Sequence, residues 1–439
     1  MKQTRLFQQP LNKRPIYTLT AGGTALLLVF CIIAYPDEAF QASLQGLKVW
    51  WNMIFPALLP FLILSQMLMA YGWVHGLGVL LDPLMRLLFR LPGVGGWAWA
   101  AGWTAGYPAG AEAVVTLRKQ QLVSQSEAER LLILSHASSP VFMIAVVGVG
   151  FMQAANTGLT IAIVHWLSAM LVMLLLRIFG KHPLSLSASR NKDKRTVRIS
   201  DKSGTTEDRT FSQPSLGKRI MNAMEQAHRA DGRPLGRLLG EATASSVQTL
   251  MMIGGYMMIF SVIIQVMRLA IPQQFGSILL NGIFEVNLGA FAISNLTLKS
   301  PVFQAALVSA VIAWSGFSAH LQVHSLIKQT DIRFASFVKA RLLHAVIAFG
   351  LTYLCWYPLQ RWLLQWEGAM PTMSAIGSEM NASPSMITEL NQWFMLIASG
   401  EGWRQVPMLF ILVISMILTF IIVSIITRFI TRGTTNLYN

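Results

Sequence analysis

Eleven stretches of this chain are apolar over most of the length a helix needs to cross hydrocarbon, about 20 residues. They run roughly over 16–35, 46–71, 72–90, 94–111, 131–152, 157–179, 243–271, 275–298, 302–318, 336–359 and 405–427. In lipid every backbone amide and carbonyl must find a partner within the protein, and helices meet that demand within each segment. The composition agrees, with 54% hydrophobic residues, 12% charged residues and a mean hydropathy of +0.51. So little charge cannot cover the surface of a water-soluble protein of 439 residues. The fold class is therefore all-α and polytopic, with about 8–10 transmembrane helices and some broken or re-entrant segments. The two cysteines, Cys31 and Cys355, lie in apolar runs and behave as small hydrophobes.

Basic residues collect between the apolar runs, which is the topology signal of a membrane protein and not the footprint of a nucleic-acid binder. Residues 1–15 hold Lys2, Arg5, Lys13 and Arg14 and no acid, and 16–35 reads as an uncleaved anchor. Segment 181–240 carries 13 Lys and Arg against six Asp and Glu, and its polar first part reads as a flexible linker. The expected order is a cytoplasmic tail (1–15), an anchor (16–35), a first membrane repeat (46–180), a cytoplasmic linker (181–240), a second repeat (241–360), an external loop (361–404), and a last span with a cytoplasmic tail (405–439).

The halves resemble each other at an offset of 210, where Gly106-Tyr107-Pro108-Ala109-Gly110 matches Gly316-Phe317-Ser318-Ala319-His320. Loop charge predicts that 112–130 and 319–341 lie on opposite faces, as equivalent loops of an inverted repeat do. Arg86 and Arg90 fit this topology less well, and parity requires some segment to enter and return. The residues 126–137 and 140–152 are the expected arms of that hairpin.

Three places interrupt the helical pattern. Three glycines and Pro108 within 102–110 should unwind that stretch, with Ser315, Gly316 and Phe317 as its counterpart. Ser138, Ser139 and Pro140 make a second break. Glu285 and Asn287 place a carboxylate and an amide in an apolar run, where such groups usually face a cavity or a polar partner. The candidate binding residues are thus Gly106, Tyr107, Pro108, Gly110, Ser138, Ser139, Glu285, Asn287, Ser315, Gly316, Phe317 and His320. Each has a plainer reading: small residues at a helix crossing, serines bonded to their own helix, a glutamate reaching the interface. No HExxH, CxxC, GxxxxGK[ST] or GxSxG pattern occurs, so no enzyme, metal or cofactor is expected.

Phe55-Pro56-Ala57-Leu58-Leu59-Pro60-Phe61, Asp82-Pro83-Leu84-Met85-Arg86, Leu91-Pro92-Gly93-Val94-Gly95, Gly106-Tyr107-Pro108-Ala109-Gly110-Ala111 and Ser138-Ser139-Pro140 occur in this order. That series resembles the YlbJ family of sporulation integral membrane proteins, which carry a Gate-type "nucleoside recognition" membrane domain. The resemblance runs from about residue 20 to 360, and departs from the family at Glu112, where lysine is common. It implies a multi-pass protein of the outer forespore membrane of an endospore-former that moves a small anionic solute, dipicolinic acid. A carrier of nucleosides or other small solutes and a non-transporting scaffold of the spore envelope are the alternatives. The expected partners are the bilayer, the solute and, less specifically, further copies of the chain, with no nucleic acid.

Overall fold

The computed structural model describes residues 15–179, 215–270, 277–296, 298 and 300–364, and among these the chain is helical with no strand. The expected last span at 405–427, the loop from 365 to 404, the tail before Pro15 and the linker residues 180–214 lie outside the described residues. Helix α1 (Pro15–Ala34) occupies the expected anchor. Pro36 then opens α2 (Pro36–Ala70), one continuous helix that begins ten residues before the expected repeat boundary. Its middle, Trp50–Ile54, widens into a π-helix ahead of Pro56 and Pro60, whose rings remove two amide donors.

Helix α3 (Trp73–Leu84) runs on through a π-helical turn at Met85–Phe89. Next come α4 (Gly95–Ala105), α5 (Ala109–Lys119), α6 (Gln125–Ser135), the π-helical α7 (Phe142–Phe151) and α8 (Ala155–Phe179). Beyond the linker lie α9 (Leu216–Asp231), α10 (Leu235–Ala270), α11 (Ser277–Phe284), α12 (Val286–Ser294), α13 (Pro301–Trp314), α14 (Gly316–Ile327) and α15 (Phe334–Leu364). Among the described residues five runs are long and apolar enough to cross a membrane: 36–70, 155–178, 235–268, 301–327 and 334–363.

Two pairs of helices fold back on themselves. Helix α4 packs along α5, and α11 packs along α12. An 11-residue helix rises about 16 Å, half of a hydrocarbon core of about 30 Å, so these pairs suit entry and return better than crossing. The hairpin expected at 126–152 is therefore elsewhere: α6 and α7 do not pack along each other but follow in line, broken at His136–Ser139. The run expected to span at 275–298 is the second hairpin, and Ser315 breaks the α13–α14 span.

Each half thus repeats hairpin, broken helix and long helix: α4–α5, α6–α7, α8 and then α11–α12, α13–α14, α15. This order pairs the tip at 106–108 with Glu285, and the break at 136–139 with Ser315. The offset of 210 had instead matched a hairpin tip to a broken span. Accordingly the loops expected on opposite faces touch: Arg118 forks onto Asp331 at 2.7 and 2.8 Å, and Lys119 reaches Gln329 at 2.6 Å. Glu129, on the first turns of α6, likewise takes Arg333 at 2.7 and 3.0 Å.

The halves interlock. One apolar core joins the first hairpin to α14 and α15, and another joins the second hairpin to α2, α7 and α10. The expected linker also ends early: α9 is an amphipathic helix lying on α3, its Met224 against Gly72 and Gly76, and α10 begins at Leu235.

Candidate functional site

Glycine pairs close both hairpin stems. A Cβ added to Gly110 would lie 2.1 Å from the Ser135 carbonyl oxygen and 2.9 Å from the Gly102 Cα, so only bare backbone fits. A Cβ on Gly289 would lie 2.3 Å from the Gly282 Cα. These approaches carry each hairpin tip to a broken helix of the interior, and there a cavity of about 360 Å³ opens. That volume falls within the range of small-molecule sites.

The cavity wall takes residues from both hairpin tips, both broken helices and two long helices. Gly106, Tyr107 and Pro108 come from the first tip, and Glu285 and Asn287 from the second. Ser138 and Ser139 come from the break before α7, and Ser318 and Ala319 from α14. Helix α2 adds Ser65 and Gln66, and α10 adds Ser245, Thr249 and Tyr256. Gln66 bridges these two helices, with its amide nitrogen 3.2 Å from both Ser245 Oγ and Ser246 Oγ.

The second tip is self-contained. Glu285 is buried in extended conformation, one carboxylate oxygen accepting from the Leu288 amide at 2.7 Å and the other from Asn287 Nδ2 at 2.7 Å. Its carboxylate therefore caps α12 and meets the free donors of the first turn. At the first tip, α5 starts after Pro108 with no side-chain cap, and its first turn carries Glu112 into the cavity wall. Among the described residues no lysine or arginine lines the cavity.

Behind this wall lies a buried polar layer. The Tyr107 ring stacks on His136 at 4.8 Å, and His136 Nε2 stands 3.1 Å from Ser315 Oγ, which joins the two breaks directly. His165 Nε2 accepts from the Ser138 amide at 3.2 Å, and His344 Nε2 lies 2.8 Å from Ser168 Oγ. Arg341, fully buried, donates Nη1 to the His136 carbonyl at 2.9 Å.

Of the twelve sequence candidates, Gly106, Tyr107, Pro108, Ser138, Ser139, Glu285 and Asn287 line the cavity. Gly110 is a stem contact, Ser315 and Gly316 stand behind the wall, and His320 is buried with Nδ1 2.7 Å from the Gly316 carbonyl. Phe317, also a binding candidate, is 42% exposed and packs on Phe284 and Trp314 instead. Its helix turns that side away because Ser318 and Ala319 take the inner face. Sequence reasoning missed Glu112, Ser65, Gln66 and the pairs Ser245/Thr249 and Ser318/Gln322. Each pair sits four residues apart in an apolar helix, a spacing that aligns polar groups on one face.

A second, wider hollow of about 480 Å³ lies against α3 and α9, where Asp82 is paired with Arg86 at 2.8 Å and Arg219 at 3.3 Å. Its charges are already paired with one another, so the chemistry concentrates in the inner cavity. Among the described residues no group of three or more His, Cys, Asp or Glu could hold a metal ion.

A family model described as Gate, nucleoside recognition, matches residues 52–157. That stretch covers the second part of α2, the first hairpin, both parts of the first broken helix and the start of α8. The sporulation integral membrane protein YlbJ of Bacillus subtilis (strain 168) is 36% identical over 410 residues, covering 89% of this chain and 94% of YlbJ. The chain belongs to the YlbJ family. The alignment covers 89% of the chain, far beyond the Gate region at 52–157, so the family relation extends to both halves. Membership and the five crossing-length runs make the protein an all-α, multi-pass integral membrane protein related to sporulation. No solved structure matches the chain.

Proposed function

We propose that the protein is a carrier that passes a small polar solute through the bilayer, the solute being dipicolinate and the membrane the outer forespore membrane. One observation carries the reading: two hairpin tips and two broken helices from opposite halves meet around one cavity, whose largely apolar wall is set with hydroxyl, amide and carboxylate groups. Irregular backbone at membrane depth is tolerated where it lines a site, and carriers built from inverted repeats place their sites at such junctions. A scaffold has no use for so many interrupted helices around one hollow.

Crossing parity supports the inverted arrangement. Three crossings, α6–α7, α8 and α10, separate the first hairpin from the second, so the two enter from opposite faces. With the basic linker in the cytoplasm, the first hairpin enters from that side, together with Arg86, Arg90 and the Arg118–Asp331 contact. Arg177, at the end of α8 next to the linker, fits this side too, donating to the carbonyls of Leu87 and Leu88 at 3.1 and 2.6 Å.

The uncapped start of α5 offers backbone donors to a carboxylate, and Tyr107 offers a ring face to an aromatic one. Glu285 acts in this reading as the group whose protonation accompanies an anion, since an ionised carboxylate would repel it. The test is uptake of labelled dipicolinate into vesicles containing the purified full chain. Saturable uptake that weakens or loses its pH dependence in Glu285→Gln is the expected result. A properly inserted Glu285→Gln variant with unchanged rate and pH profile would leave Glu285 purely a helix cap. The lining of hydroxyls, amides and the carboxyl groups of Glu112 and Glu285, with no lysine or arginine among the described residues, favours a second reading, a nucleoside carrier. Uridine uptake without dipicolinate uptake would select it, and uptake of neither would return the scaffold.

A further inference from the structure

Among the described residues the cavity wall holds two carboxylates and no cation, an unfavourable surround for an anion. One layer behind that wall lies Arg341, held on the carbonyl of the His136 that stacks on Tyr107. Its side chain is 1% exposed, and of its donors only Nη1 is engaged, on the His136 carbonyl at 2.9 Å. Among the described residues Nε and Nη2 are buried with no partner, and no acidic side chain pairs with the guanidinium. Around it His136 Nδ1, His165 Nδ1 and His320 Nε2 are buried and unpartnered as well.

A guanidinium taken out of water without a counter-charge costs several kcal/mol, and its planar fork matches the two oxygens of a carboxylate. The residues that separate Arg341 from the cavity are few. Tyr107 faces the cavity and stacks on His136, whose carbonyl holds Arg341, while Ser138 faces the cavity and donates to His165. The same His136 contacts Ser315 of the other half, so any movement of the two halves against each other acts on this stack.

We infer that Arg341 is the counter-charge for a carboxylate of the transported solute, and that the Tyr107–His136 stack separates it from the cavity in this conformation. The inference rests on the carrier reading above and adds the residue that makes the site select a carboxylate. It accounts for a buried, half-satisfied arginine in an apolar helix, which a packing role leaves unexplained.

The experiment compares two probes in vesicles holding the full chain: dipicolinate, and its diamide, in which both carboxylates are replaced by uncharged amides of similar shape. Wild type should prefer the diacid. In Arg341→Gln the KM for dipicolinate should rise at least tenfold while that for the diamide changes less than threefold, and Arg341→Lys should recover part of the preference. A structural role would impair both probes alike, and equal losses overturn the inference while leaving the carrier reading intact. So does an Arg341→Gln variant with unchanged preference. Wild-type protein that moves neither probe overturns the dipicolinate reading and the inference with it. Should Arg341→Gln fail to insert, thermal stabilisation of detergent-solubilised wild type and Arg341→Lys by the two probes gives the same comparison. Stabilisation of wild type by chloride as strong as by dipicolinate would assign Arg341 to an inorganic anion and overturn the carboxylate assignment.

Discussion

In the first hairpin Gly102 and Gly110 meet across the stem against the Ser135 carbonyl, and in the second Gly282 and Gly289 meet against Val311. Ser135 and Val311 hold corresponding places, each within one turn before the break of its helix. The tips differ. The first is a three-residue turn, Gly106-Tyr107-Pro108, that leaves α5 without a side-chain cap, whereas the second is one extended residue, Glu285, whose carboxylate caps α12. The stems answer the same problem, backbone packed on backbone, and so use the same residue. The tips answer different ones: the first leaves the opening turn of α5 without a side-chain acceptor, and the second satisfies its own donors with a buried carboxylate.

The sharpest way to break the equivalence of the stems is to fill them. Gly110→Val and Gly289→Val should each cost at least about 3 kcal/mol, because the clash is with backbone and not with a side chain that can turn aside. Both should strongly reduce folded protein, read as the monodisperse fraction of detergent-solubilised chain. Gly350→Ala, with nothing within 4 Å of the added Cβ, serves as the silent control. Loss at one stem and not the other would end the parallel.

The difference between the tips predicts a smaller effect. Glu285→Ala should destabilise by about 1–3 kcal/mol, since it strands the buried Leu288 amide and the Asn287 side chain. Glu285→Gln, which keeps an acceptor, should cost less than half of that. Pro108→Ala at the first tip removes no cap and should change stability less than Glu285→Ala does. Thermal unfolding of the three variants gives the order, and a Pro108→Ala cost equal to that of Glu285→Ala would erase the contrast.

The smallest effect lies where the first hairpin's base meets the loop before α15. The Arg118 guanidinium, forked onto Asp331, holds that carboxyl below its ordinary value of 3.8. Its contribution is therefore complete above that value and is lost as pH falls through the lower, folded-state value. Both partners are partly exposed, so a double-mutant cycle with Arg118→Ala and Asp331→Ala should give only about 0.5–1 kcal/mol of coupling. Coupling that persists unchanged at pH 2 would show that the pair is not held by charge.

The run lengths of the apolar segments, the interruptions at 106–108, 138–140 and 315, and the buried carboxylate at 285 were all legible in the amino-acid sequence. They were legible because they are local: proline, glycine and ionised side chains have energetic consequences in a helix that neighbours cannot remove. Whether a broken helix continues or turns back is not local. The 94–111 and 131–152 stretches carry similar interruptions, yet the first leads into a hairpin and the second stays in line. Composition alone offers no reason for that difference, which depends on what each arm packs against. The same holds for the repeat register, where a five-residue likeness joined Gly106 to Gly316 although their elements are not equivalent.

Phe317 and Arg341 mark the same boundary from the other side. A phenylalanine beside a break is a binding candidate by position, but one helical step decides whether it faces inward, and Ser318 and Ala319 hold that face. An arginine seven residues into α15 reads as a loop charge at a helix start, and only the surrounding layer of histidines shows it enclosed. The sequence by itself determined that this chain lives in a bilayer as interrupted helices, because hydrocarbon leaves the backbone few alternatives. Tertiary structure decided which interruptions meet, because residues more than 200 positions apart come together only through the glycine approaches and interlocked cores that no local pattern encodes.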